Sequence, residues 1–368
     1  MKRLLLAGAG HAHAQVLQAW AREPLDGVEL TVVSPQPLAP YSGMVPGWLA
    51  GLYRHEEIVV DFPALCRAAG ARWITGSIDR LGAQRREARL DSGEELPYDL
   101  LSLNVGSTLR PPWIPQARVL SMRPLAALRP AWHALLDEVR DSPSREPLQV
   151  TAVGGGAAGF ESLLAALARL RRLCPDRPLH GRLVTRAPGL LPGLSSPARR
   201  AALRALERAR VRLQLGTPWN DAMARPGEIV LWATGAQAHD WLRDRERRGA
   251  LGVGPEGYVR IDAQLRSLSH PQVFAVGDCA DWGHDGAGPL PKAGVYAVRM
   301  GPVLLHNLRA ALQRRPLRRY EPQRRYLVLL ATGDGRAIAS RGALGASGRW
   351  AWHWKDLIDR RFIARFAG

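Results

Sequence analysis

Apolar residues in this chain fall into short unbroken runs, each closed by glycines and followed by a longer stretch of helical period. The run RLLLA leads into GAGHAH at Gly8 to His13, and the spacing predicts a strand, a tight turn and a helix over Ala12 to Arg22. VELTVVSP predicts a second strand over Val28 to Pro35, and RWITGSI with the segment from Arg86 to Ser107 predicts further strands ending in a glycine turn. The proline cluster PPWIP, Pro111 to Pro115, breaks the pattern and marks a boundary. The scheme then repeats. LQVTAV runs into GGGAAG at Gly154 to Gly159 and a helix over Ala158 to Leu173, followed by strands in HGRLVTRAP and GEIVLWATG. EGYVRID begins a return to the first unit, closed by VFAVGD at Val273 to Asp278 and a helix from Lys292 to Leu312. A strand pair and a helix rich in tryptophan and arginine complete the chain.

Strand, glycine turn and helix repeated in this order predict an α/β fold with two Rossmann-like dinucleotide-binding domains, the first interrupted by the second. The expected divisions are 1–115, 116–255, 256–318 and a small C-terminal α+β segment over 319–368. Glycine is needed at such turns because the backbone must approach a pyrophosphate, which then rests on helix amides and the positive end of the helix dipole. One such turn is weak as a signal; two of them with the late VFAVGD segment are specific.

Composition narrows the classes. At 368 residues and 46% hydrophobic content the chain reads as soluble and globular, without an apolar run of membrane-spanning length. MKRLLLAGAGHA mimics a secretory leader, but its apolar core is short and runs into glycines and histidines, so it reads as the first strand. The net charge of +18 comes from arginines scattered along the chain, with no nucleic-acid motif, so no nucleic acid is expected as a partner. Cys66, Cys174 and Cys279 form no CxxC pair, which argues against a redox dithiol, and neither HExxH nor GxSxG is present. No metal is expected.

Motifs in this order resemble the pyridine nucleotide-disulfide oxidoreductase superfamily over nearly the whole chain. Within it the chain is similar to type II NADH dehydrogenases without a redox disulfide, and more closely to the proteins fused ahead of selenide, water dikinase. GHAHAQVL, PYSGMVPG, PKAGVYAVRMGPVLLHNL and WHWKDLIDRRF carry that closer likeness. The resemblance implies FAD on the first turn and NADH or NADPH on the second. For FAD it points to Gly8, Gly10, His11 and His13 at the pyrophosphate, Ser34 at the ribose, Ile78 at adenine, Asn104 and Gly106 at the ATG-like turn, and Gly277 and Asp278 at the ribityl chain. Lys292 and Ala293 are expected to open a helix aimed at the flavin ring, with Tyr41 and Met44 shaping its face. For NAD(P)H it points to Gly154, Gly156, Gly159, Glu161, Thr185, Arg186 and Gly235. The chain departs from the family at Ser34 and Thr185, where acidic residues usually hold ribose hydroxyls, and at His13, where a third glycine is usual.

These residues predict an enzyme that passes hydride from nicotinamide to flavin and electrons on to a quinone-like or other small acceptor. The rival reading is a flavin-binding sensor or accessory protein, linked by analogy to selenium metabolism, with little turnover. A cytoplasmic protein is expected. Trp350, Trp354, Leu357, Ile358, Phe362 and Phe366 recur at helical spacing with Lys355, Arg360, Arg361 and Arg365 beside them. Two readings of that helix stand: a peripheral contact on the cytoplasmic membrane face, or packing on the protein or on a second copy in a homodimer.

Overall fold

Two five-stranded parallel sheets carry the fold. The computed structural model describes residues 1–282, 290–323 and 325–367. The first sheet runs Val273–Ala275, Leu100–Leu103, Lys2–Ala7, Val28–Ser34 and Arg72–Thr75. The second runs Ala117–Ser121, Glu228–Trp232, Leu148–Val153, Leu179–Val184 and Val211–Gln214. Unbroken apolar runs suit strands covered on both faces: Leu4, Leu5 and Leu6 are all at most 2% exposed. In each sheet the strand that ends in a glycine turn stands third of the five, where the strand order reverses. That is where an open α/β sheet leaves a crevice for a dinucleotide.

Helix His11–Arg22 leaves the first turn and packs against Gly294–Leu312, while Ala157–Leu173 leaves the second turn and packs against the short helix Val45–Leu49. The late helix begins at Gly294 with Ala293 as its N-cap, two residues beyond the expected start at Lys292.

The C-terminal strand pair is a three-stranded antiparallel sheet, Val328–Ala331, Ala337–Arg341 and Leu344–Gly348. A second turn at Gly342, with φ of +57°, divides the run that reads as one strand. Helix Arg349–Ile363 lies on this sheet and divides its aromatic residues between an inward and an outward side where the sequence suggests one face. Ala351, Lys355, Asp359 and Phe362 are buried, as is Phe366 just beyond the helix. Trp350, Trp354, Leu357 and Ile358 are exposed. Among the described residues no helix is long and apolar enough to cross a membrane.

Candidate functional site

Gly8 and Gly10 are required by one neighbour. Gly8 has φ of +98°, and a Cβ there would lie 2.5 Å from the Asn104 carbonyl oxygen; a Cβ on Gly10 would lie 2.1 Å from Asn104 Oδ1. That buried amide oxygen accepts from the N–H groups of Ala12, at 3.1 Å, and His13, at 3.4 Å, while its Nδ2 donates to the Val276 carbonyl at 3.0 Å. Asn104 therefore ties the first helix, the ATG-like turn and the VFAVGD segment into one unit. Gly106 presents an open side, with no described residue within 4 Å of where its Cβ would be. Gly277 is close-packed against Asn104 and Ala297. Ser34 and Ile78 are buried, Ser34 at the end of Val28–Ser34 and Ile78 at the start of Ile78–Gly82.

His13 is wholly buried, between the Gly8 carbonyl and the Ser102 hydroxyl. His11 faces the other way. Its Nε2 is buried without a partner among the described residues, its ring lies 5.3 Å from that of Tyr41 and 6.1 Å from that of Phe362, and it lines a small cavity with Ala9, Gly10 and Pro40. Burial pushes both imidazoles down to about 4, so both stay neutral at physiological pH. The orphaned nitrogen beside the turn fits a site that receives a polar ligand such as FAD.

Asp278 is held by an arginine that sequence reasoning missed. Arg123 donates to Asp278 and to the Ser107 hydroxyl, and to the Lys292 carbonyl at 3.3 Å. Its pattern in the sequence, one arginine before a proline in an arginine-rich chain, carries no signal. Lys292 differs from the expected placement at a helix start: its ammonium donates to the Ala280 carbonyl at 2.6 Å and lies 3.7 Å from the Tyr258 ring centroid. Burial lowers its pKa. Met44 is 1% exposed and packs in the apolar core around Trp48 and Phe160.

At the second turn Gly154 has φ of +127°, and a Cβ there would lie 2.8 Å from the Ala233 carbonyl. A Cβ on Gly159 would fall 2.0 Å from the Gly154 carbonyl, the close helix–strand approach that the third glycine permits. No described residue lies within 4 Å of where a Cβ on Gly156 or Gly235 would be. Thr185 is buried beneath the turn, and Arg186 is exposed.

Glu161 turns away from that mouth. Its Oε1 accepts from the Ala331 N–H at 2.7 Å, on the C-terminal sheet, a partner the motif does not foretell. Burial raises its pKa to about 7 against the opposing pull of Lys355 and the Ala331 N–H. Lys355, which the sequence places among flanking surface bases, points inward: its Nζ donates to Asp359 at 2.6 Å and to the Gly43 carbonyl at 2.5 Å. Tyr41 hydrogen-bonds Asp359, and burial raises both of their pKa values. Glu161, Lys355, Asp359 and Tyr41 thus form a buried polar cluster joining the nucleotide helix, the 41–44 loop and the C-terminal helix. The i,i+4 spacing of Lys355 and Asp359 was its one legible signal. The cysteines are free, and burial pushes the Cys279 thiol up to about 11, which keeps it protonated and unreactive.

The model of the family described as pyridine nucleotide-disulphide oxidoreductase matches residues 2–301. The chain belongs to this family. Membership implies an FAD-dependent protein that uses NAD(P)H. The chain is 24% identical over 344 residues to the alternative NAD(P)H-ubiquinone oxidoreductase C1 of Arabidopsis thaliana, a match covering 80% of this chain and 62% of that protein. It therefore spans less than two thirds of that relative's length. The fold matches the structure of NDH2 from Plasmodium falciparum in complex with NADH, with a TM-score of 0.78 at 11% identity, covering 99% of this chain and 97% of the other. It also matches the sulfide:quinone oxidoreductase of Aquifex aeolicus, with a TM-score of 0.77 at 15% identity, covering 100% and 91%.

Proposed function

We propose that the protein is an FAD-dependent NAD(P)H oxidoreductase that reduces a quinone-like acceptor at a membrane surface. The observation that carries this reading is the C-terminal helix, which turns a protonatable cluster inward and an apolar face outward. Reducing a quinone takes two electrons and two protons, whereas a hydride brings two electrons and one proton. One further proton is taken up for each quinone reduced, and a buried acid can deliver it. Glu161, with a pKa raised to about 7, holds such a proton near neutral pH, and Lys355 and Asp359 fix the charge around it. FAD, when bound, supplies the hydride-accepting and electron-releasing chemistry. Gly8, Gly10, Asn104 and Gly106 would hold its phosphates and Asp278 its sugar chain, while Gly154, Gly156 and Gly159 would hold the nicotinamide nucleotide. Neutral His11 and Tyr41 line the space between the first turn and the C-terminal helix.

Trp350, Trp354, Leu357 and Ile358 form the outward face, with Arg361 and Arg365 on the same helix end. Tryptophans with arginines suit the headgroup layer of an anionic bilayer, where a lipid-soluble quinone is reached. Supporting this reading, the Arabidopsis relative is named for ubiquinone and two matched structures are of NDH2 and of a quinone-linked reductase. The test is NAD(P)H oxidation with a long-chain quinone embedded in anionic vesicles. The reading expects turnover that rises with vesicle concentration and stops without quinone; equal turnover without quinone would contradict it.

A further inference from the structure

The end of the strand Leu179–Val184 decides which nicotinamide nucleotide the second turn receives. In a dinucleotide fold the adenosine ribose lies at this strand end, where a carboxylate binds the free hydroxyls and repels a 2′-phosphate, whereas arginine pairs with the phosphate. Thr185 and Arg186 stand there instead of an acid.

Thr185 is fixed from several sides. A Cβ on Gly155 would lie 2.9 Å from its methyl group, its N–H donates to the Gln214 carbonyl at 2.9 Å, and its own carbonyl accepts from Thr217 at 2.9 Å. Its hydroxyl accepts from the Ala187 N–H at 3.2 Å, which sets the bend that carries Arg186 out to the surface. Arg186 is exposed, and no carboxylate or other hydrogen-bond partner engages its guanidinium among the described residues. The surrounding field has the same sign: from 179 to 219 the chain holds eight arginines and one acidic residue, Glu207. A buried threonine offers the unphosphorylated ribose one weak neutral partner that is already engaged. A free guanidinium offers a 2′-phosphate a charge-assisted, two-pronged one.

We propose that the second glycine turn takes NADPH in preference to NADH, with Arg186 pairing with the 2′-phosphate. This rests on the reading of that turn as the hydride donor's site.

The test uses the flavin-loaded protein in two arms. In the first, anaerobic bleaching of the flavin by NADPH and by NADH gives a ratio of second-order rate constants. In the second, calorimetry compares 2′,5′-ADP with 5′-AMP, which carry the recognised end without the nicotinamide. The expected ratio favours the phosphorylated compound by about tenfold or more in both arms, the worth of a charge-assisted pair. Arg186→Ala should bring both ratios close to one, Arg186→Lys should keep part of them, and Thr185→Asp should reverse them. Equal binding of 2′,5′-ADP and 5′-AMP, or a preference that survives Arg186→Ala, overturns the proposal. If neither nucleotide bleaches the flavin while 2′,5′-ADP still binds in an Arg186-dependent way, the hydride-donor reading fails and the phosphate site stands.

Discussion

His13 Nδ1 lies 2.7 Å from the carbonyl oxygen of Gly8, five residues earlier, and the corresponding carbonyl in the second turn, that of Gly154, is approached instead by the bare Gly159. One turn closes through an imidazole, the other by backbone contact. A carbonyl only accepts, so Nδ1 carries the hydrogen and Nε2 accepts from the Ser102 hydroxyl at 2.8 Å. His13→Ala loses both bonds and leaves a buried void, a destabilisation of about 2–4 kcal/mol. Urea unfolding of the flavin-loaded protein measures it, and a change within about 0.5 kcal/mol would mean the ring is a spectator.

The two turns should fail separately. Gly10→Val drives a side chain into the Asn104 amide, whose oxygen would lie 2.1 Å from the new Cβ, and so dismantles the unit around the FAD turn. The purified variant should be colourless. Gly159→Ala presses a methyl to within 2.0 Å of the Gly154 carbonyl and distorts only the second turn. That variant should stay yellow and lose bleaching by NAD(P)H. Loss of flavin from Gly159→Ala, or full flavin on Gly10→Val, would reverse the assignment of the turns.

Glu161 gives a pH dependence of definite sign. Burial raises its carboxyl from 4.5 to about 7 in the folded protein, so the folded state binds the proton more tightly than the unfolded chain. Its contribution is fully present below pH 4.5 and is lost as pH rises through about 7. Glu161→Gln keeps an oxygen for the Ala331 N–H but cannot ionise. Relative to this variant, the native protein should lose about 3 kcal/mol between pH 4 and pH 8. Parallel unfolding curves for the two proteins over that range would show that the carboxyl is not buried. The same variant should slow flavin reoxidation by quinone by about a hundredfold, the usual worth of a positioned acid.

Membrane contact is best tested on the outer face of the C-terminal helix alone. Truncation after Gly348 would remove Lys355, Asp359, Phe362 and Phe366 from the interior and unfold the region it is meant to test. Replacing Trp350, Trp354, Leu357 and Ile358 by serine leaves those contacts in place. Sedimentation with anionic vesicles should fall at least tenfold while a short-chain soluble quinone is still reduced. Undiminished sedimentation would assign the face to another protein or to a second copy of the chain.

The two sheets were legible because parallel strands buried on both faces write themselves as apolar runs, and because backbone crowding demands glycine at particular positions of each turn. Gly154 and Gly159 show this directly: their added Cβ atoms would strike backbone. The polar interior was less legible. Lys355 and Asp359 look like ordinary helix-surface charges until the sheet beneath them is known, and Arg123 reaches Asp278 from 155 residues away. Periodicity also merged the two sides of the last helix, since aromatic residues on both sides satisfy the same 3.6-residue repeat. Glu161 sits where the motif predicts, and its hydrogen bond to the C-terminal sheet had no signal in the sequence.

An anaerobic single turnover followed in the flavin absorbance reads out hydride transfer from a nicotinamide nucleotide to flavin and electron transfer onward to a quinone. One equivalent of NADPH should bleach the bound FAD, and one equivalent of a short-chain quinone should restore the colour with uptake of one proton per turnover. A yellow protein that neither NADPH nor NADH bleaches, or a reduced flavin that quinone leaves reduced, would contradict the account.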